Sequence, residues 1–239
     1  MKPSVTDQVV LTRGPESPTA ARAVPAHYRR DARPTWHQGR RRRCILNLLK
    51  RVEGRVLDCG CGYGDLTYAI SKTHPAEGVD VDPDRVAYAI SEYSPLVFRR
   101  IERDRLPYED GAFDVVASVV VVHFVPDPVA HLRELRRVLR SGGHLIIACK
   151  NVDYVRRVFR RLLGRRDVPT DLWIAPRDEV IDLLEREGFV VEAENYFYDP
   201  PFSSWKNLGD VCIGTIEQLL SLGRVRTTSG YFALLARKK

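Results

Sequence analysis

Asp58 closes a short apolar strand and is followed at once by three glycines, Gly60, Gly62 and Gly64, in the string VLDCGCGYGD. A second acid, Asp80, stands 22 residues further on in GVDVDP. Glycines in a strand-to-helix turn let a ligand approach backbone N–H groups and the helix N-terminus, which a side chain would block. That spacing alone would serve a dinucleotide equally well. The two acids narrow the chemistry. A carboxylate ending the next strand, as Asp80 does, accepts hydrogen bonds from both hydroxyls of a ribose. Asp58 sits where its charge would repel a pyrophosphate but could orient an ammonium. The ligand this pattern asks for is a nucleoside carrying an amino-acid tail.

Positioning those residues takes alternating strands and helices, the sequence form of βαβ units and a mainly parallel sheet. The expected strands are Arg55–Asp58, Ala76–Asp80, Val97–Ile101, Phe113–Val120, His144–Lys150, Phe189–Tyr198 and Tyr231–Ala236, the last two forming an antiparallel pair. Asp127 and Pro128 are good N-cap and first-turn residues for a helix. Its core stripe is Val129, Leu132, Leu135, Val138 and Leu139, and Gly142 and Gly143 are expected to stop it. A helical connection is expected at 207–222. The fold class is therefore α/β: a Rossmann-like three-layer sandwich with a seven-stranded, mostly parallel sheet, the last strand antiparallel, and an N-terminal helical lid. The expected division is a flexible tail at 1–25, a helical lid segment at 26–54 and the catalytic domain at 55–239.

Composition removes several classes. With 239 residues, 44% hydrophobic and 29% charged, the chain suits one soluble α/β domain. No apolar run approaches the roughly 18 residues a membrane span needs. The start lacks a secretory pattern, which points to the cytoplasm. Five cysteines without a C-x-x-C pair suggest reduced, mostly buried thiols and no structural zinc site. Residues 1–50 hold eleven Lys or Arg against three acids, whereas the rest holds 27 against 28. The basic character thus belongs to the N-terminal segment. In 151–166, Tyr154, Val155, Val158, Phe159, Leu162 and Leu163 form a helical stripe opposite the arginines of Arg156–Arg161. Such a helix could meet a membrane surface, an anionic substrate or an acidic carrier, or serve as a lid with its arginines in solvent.

The strings VLDCGCGYG, GVDVDP, LPYEDGAFDVV, HFVPDP and LRELRRVLRSGGHLII follow one another from Val56 to about Lys150. In this order they resemble the class I S-adenosylmethionine-dependent methyltransferases, small-molecule type, especially those of quinone biosynthesis. The resemblance thins beyond Asn151. It implies S-adenosyl-L-methionine as cofactor, with Asp58, Cys59, Gly60 and Gly62 at the methionyl end and Asp80 and Val81 at the ribose and one adenine face. The acid that meets the adenine amine is matched by either Glu102 or Asp104, and Val119 covers the other adenine face. Tyr28, Trp36 and Arg41 fall where relatives place a lid over the cofactor; surface packing is the alternative.

His123, following the fourth strand, is the candidate general base, with a packing role as the alternative. Relatives usually carry a His at the place of Phe124, and quinone-type members place acids at those of Val120 and His123. That departure argues against a metal-assisted site. The string DPPF at Asp199–Phe202 looks like the signature of enzymes that methylate base nitrogens, but it follows the sixth strand rather than the fourth. The implied activity is methyl transfer to oxygen or nitrogen of a small-molecule acceptor such as a secondary metabolite, sugar, lipid-like or quinone-like compound. A nucleic-acid methyltransferase and a non-catalytic binding module are the rivals. The sequence leaves the oligomeric state open.

Overall fold

The computed structural model describes residues 36–102, 105–151, 175–197 and 230–239, and side chains from Gln38 onward. The expectations for the tail, Tyr28, the Trp36 side chain, Asp104, the arginine helix, DPPF and the 207–222 helix lie outside what is described.

Seven strands form one sheet in the order β3-β2-β1-β4-β5-β7-β6. They are β1 (Val56–Cys59), β2 (Ala76–Asp80), β3 (Val97–Arg100), β4 (Phe113–Val119), β5 (Leu139–Lys150), β6 (Phe189–Phe197) and β7 (Tyr231–Lys238). All neighbours from β3 to β5 pair in parallel, and β7 runs antiparallel to both β5 and β6. The helices are α1 (Trp36–Leu49), α2 (Asp65–Ile70), α3 (Pro83–Glu92), α4 (Pro128–Val138) and α5 (Arg177–Arg186). This is the expected Rossmann-like α/β sandwich.

Central strands buried on both faces read as continuous apolar runs, and β1 and β4 do so. Their alternate residues feed two cores. Leu57, Val116, Leu145 and Ile147 pack with Leu132 and Leu135 of α4 and Leu184 of α5. Val56, Val115, Ala117 and Ile146 pack with Ile45, Leu48 and Leu49 of α1 and with Leu66 and Ile70 of α2. Thus α1 lies on the sheet face that also carries α2. The edge strand β3 exposes Val97, Arg99 and Arg100, the charge on an edge that discourages further pairing.

Asp82 and Asp127 each cap a helix that opens on proline. Each accepts two backbone N–H bonds from the first turn. One boundary differs from expectation. Gly142 and Gly143 do not stop α4, because Leu139 is already extended, fully buried and paired with Phe113. The glycines instead carry the irregular stretch of β5 before His144 pairs with Val115. A Cβ on Gly143 would lie 2.9 Å from the carbonyl oxygens of Arg140 and Asp114. Among the described residues no helix is long and apolar enough to cross a membrane.

The sheet reverses its winding between β1 and β4, since β2 and β3 lie on one side of β1 and β4, β5, β7 and β6 on the other. Open α/β sheets place ligands at the carboxyl ends of the strands at such a point.

Candidate active site

A cavity of about 740 Å³ opens at the carboxyl ends of β1, β2 and β4, within the range of small-molecule sites. Its floor is the turn after β1. Gly60, Gly62 and Gly64 all take positive φ, at 84°, 55° and 85°. Two of these glycines answer to different neighbours. A Cβ on Gly60 would sit 2.2 Å from Val121 Cγ2, whereas one on Gly62 would meet nothing within 4 Å. Gly60 is thus needed by the protein's own packing. Gly62 faces the open space a ligand would take.

Both acids line the cavity. The Asp80 carboxylate is fixed by the protein before any ligand arrives: Gly62 N–H donates to its Oδ2 at 2.7 Å and Asp82 N–H to its Oδ1 at 3.0 Å. Each oxygen keeps a further lone pair for an incoming hydroxyl. Asp58 is 1% exposed and accepts a 2.7 Å bond from Thr67 Oγ1. Burial pushes its pKa up to about 7; the Thr67 bond opposes this, Asp65 adds to it, Arg41 opposes it and Asp80 adds to it. A cationic group arriving beside Asp58 would supply the charge its burial lacks. An ammonium-bearing nucleoside therefore fits both acids.

Strand alternation divides the cavity between the two faces of the sheet. Asp58 pairs in register with Ala117, and it faces α2, where Thr67 lies. Ser118, one residue beyond Ala117, must face α4. There its Oγ lies 3.3 Å from His131 Nε2, and His131 and Glu134 line the wall. Glu134 is already engaged, its Oε1 accepting from Leu106 N–H at 2.7 Å and its Oε2 from Arg137 Nε at 2.9 Å. Burial lowers the His131 pKa to about 4, against a smaller opposing effect of Glu134. The imidazole is neutral at physiological pH.

Past β4 the chain turns sharply. Val120 has a φ of 61°, a costly conformation for a β-branched residue and the kind of strain that collects at functional sites. Val120, Val121, Phe124, Val125 and Pro126 make an apolar wall, from which Phe124 protrudes at 53% exposure.

Of the residues singled out by sequence, Arg41, Asp58, Cys59, Gly60, Gly62, Asp80, Val81 and Val119 converge on this cavity. Glu102 and His123 are not among its lining residues. Glu102 is exposed and bridges to Arg105, so that Ile101 and Arg105 reach the cavity instead. His123 lies in a 3-10 turn, fully buried, and its Nε2 accepts the Lys150 backbone N–H at 2.8 Å. Sequence reasoning passed over His131, Glu134, Leu106 and Tyr63. For the first two a signal existed: they stand three residues apart on α4 and flank its apolar stripe.

The family model described as "Methyltransferase domain" matches residues 57–147. The 27-O-demethylrifamycin SV methyltransferase of Amycolatopsis mediterranei is 32% identical over 222 residues, covering 79% of this chain and 78% of that protein. The 2-methyl-6-phytyl-1,4-hydroquinone methyltransferase of a Synechocystis species is 32% identical over 126 residues, covering 51% of this chain. The match spans 36% of that relative's own length. Among solved structures, a chain in the complex of the Haloferax volcanii Trm112 methyltransferase activator with a methyltransferase shares the fold. Its TM-score is 0.62 at 20% identity, covering 84% of this chain and 91% of that one. The motif order, the topology and an alignment running nearly four-fifths of the length of both proteins together show that this chain belongs to the class I S-adenosylmethionine-dependent methyltransferases.

Proposed function

We propose that the protein transfers a methyl group from S-adenosylmethionine to an oxygen or nitrogen of a small-molecule acceptor. The observation that carries this reading is the convergence of Asp58, Gly62 and Asp80 on one cavity of about 740 Å³. When bound, the sulfonium supplies an electrophilic methyl and leaves as a neutral thioether. The protein's share is then positioning and exclusion of water, because an in-line displacement with so good a leaving group needs little else. Asp58 holds the ammonium, with Arg41 nearby for the carboxylate. Asp80 holds the ribose hydroxyls. The wall from Val120 to Pro126 takes the apolar face of the acceptor.

Relatives named for a rifamycin and a hydroquinone support a small-molecule acceptor. His123 is assigned to the wall's support rather than to proton transfer, since its Nε2 is occupied by the Lys150 N–H. Buried free thiols at Cys44, Cys59, Cys61 and Cys149 suit a reducing compartment.

The test has two stages. Calorimetry with S-adenosylhomocysteine should show binding; none at millimolar ligand refutes the cofactor assignment. Transfer from methyl-labelled S-adenosylmethionine is then scored on phenolic, amine and hydroxylated lipophilic acceptors beside tRNA and duplex DNA. Transfer to nucleic acid alone would refute the acceptor class.

A further inference from the structure

We infer that His131 recognises the purine of the bound nucleoside, its Nδ1 forming a hydrogen bond with an edge of the ring. This rests on the cofactor reading above and adds a contact that neither the glycine turn nor the two acids provide.

The described lining of the cavity offers one place for the purine. The amino-acid tail is drawn to Asp58 on the α2 side of the sheet, and the ribose to Asp80. The Ile101 N–H bonds the Asp80 carbonyl at 3.0 Å, so the space next to the ribose position begins at Ile101. It continues past Leu106 to His131 on the α4 side. Ile101 and Leu106 offer apolar surface to a flat ring. Glu134, beside them, is held by Leu106 N–H and Arg137.

Neutral imidazole carries one donor and one acceptor nitrogen. Ser118 engages Nε2, and among the described residues no protein group meets Nδ1. Either tautomer gives a complement to the purine: Nδ1 accepts from the exocyclic amine when Nε2–H donates to Ser118, or donates to a ring nitrogen when the serine hydroxyl donates. Burial keeps the ring neutral, which suits a neutral heterocycle and makes His131 a poor proton acceptor for catalysis near pH 7.

Calorimetry on the full chain tests this with S-adenosylhomocysteine and 5′-methylthioadenosine, which lacks the amino-acid tail. His131→Phe keeps the ring area and removes the bond; it should weaken both ligands by about tenfold. His131→Gln should restore most of that affinity. Asp58→Asn, by contrast, should weaken S-adenosylhomocysteine and leave 5′-methylthioadenosine unchanged. The inference is overturned if His131→Phe binds 5′-methylthioadenosine as tightly as the wild type, or if Gln and Phe lose affinity alike. Thermal melts accompany each variant, and if the Phe variant does not fold, the Gln variant together with Ser118→Ala decides: wild-type affinity in Ser118→Ala and a loss in His131→Gln would overturn it. A wild type that binds neither ligand at millimolar concentration overturns the cofactor reading itself.

Discussion

Replacing Asp58 with Asn should make the ligand-free protein more stable, and more so the higher the pH. Burial pushes the folded carboxyl up to about 7 from an ordinary 3.8. Between those values the folded protein holds a proton that the unfolded chain has released, so this group makes stability fall as pH rises from about 4 to about 7. Above that the loss is complete. At about 1.36 kcal/mol per pH unit, the ionised, buried carboxylate costs on the order of 4 kcal/mol. Asn has nearly the same shape, carries no charge and can still accept the Thr67 hydroxyl bond. The two proteins should therefore be nearly equal in stability at pH 4. At pH 8 the variant should lead by about 2 to 4 kcal/mol, a shift of about 1 to 2 M in the urea midpoint. A lead that does not grow with pH would refute the account. Binding gives the converse. An ammonium placed beside Asp58 lowers its pKa, so S-adenosylhomocysteine should displace up to one proton at pH 6 and almost none from this site at pH 8.5. Calorimetry in buffers of different ionisation heat reads that number directly. Asp58→Asn should abolish the release and weaken binding by about 10- to 100-fold, the worth of a hydrogen bond to a charged group. A carboxylate kept at a cost to stability is then explained by its ligand.

The glycine turn offers a pair of contrasting variants. Gly60→Ala places its Cβ against Val121 and should lower stability by about 3 kcal/mol or more. Gly62→Ala has no protein neighbour and should cost only about 1 to 2 kcal/mol, for its left-handed backbone, while losing far more affinity for S-adenosylhomocysteine. Equal melting temperatures, or wild-type binding in Gly62→Ala, would contradict this division. His123→Leu strands the Lys150 N–H and should cost about 1 to 3 kcal/mol, with His123→Gln restoring much of it. The pH profile of kcat/KM should keep its shape in both; loss of a limb near pH 6 to 7 at unchanged stability would return His123 to the chemistry.

What could be read from the sequence was what the chain holds contiguously. Asp58, the three glycines and Asp80 belong to one β-turn-α-β run, so spacing alone brings them to one strand end, and both acids with Gly60 and Gly62 line the cavity. The mainly parallel pairing of the sheet followed from the alternation of strands and helices in the same way. Glu102 shows where this stops. Counting back from Leu106-Pro107 points to Glu102, with Asp104 as the alternative, but Glu102 is exposed and joined to Arg105 in an isolated bridge, and nothing in the spacing announces a bridge.

The two histidines sharpen the point. His123 is nearer to β4 in sequence, and that proximity recommended it. Its 3-10 turn rolls the ring inward beneath β5, where the Lys150 N–H takes its Nε2. His131 is farther along the chain, yet α4 runs back over the sheet and brings it to Ser118. Sequence favours contacts made by charge, because an acid placed after a strand has few other reasons to be there. It is nearly silent about neutral partners, whose meaning depends on which side of a strand they face. Ser118 is a case in point: moved by one residue it would join Ala117 on the α2 face, and His131 would lose the group that engages its Nε2. The charged end of the ligand is thus written locally in the turn after β1, while its neutral end depends on a helix that crosses the sheet from elsewhere in the chain.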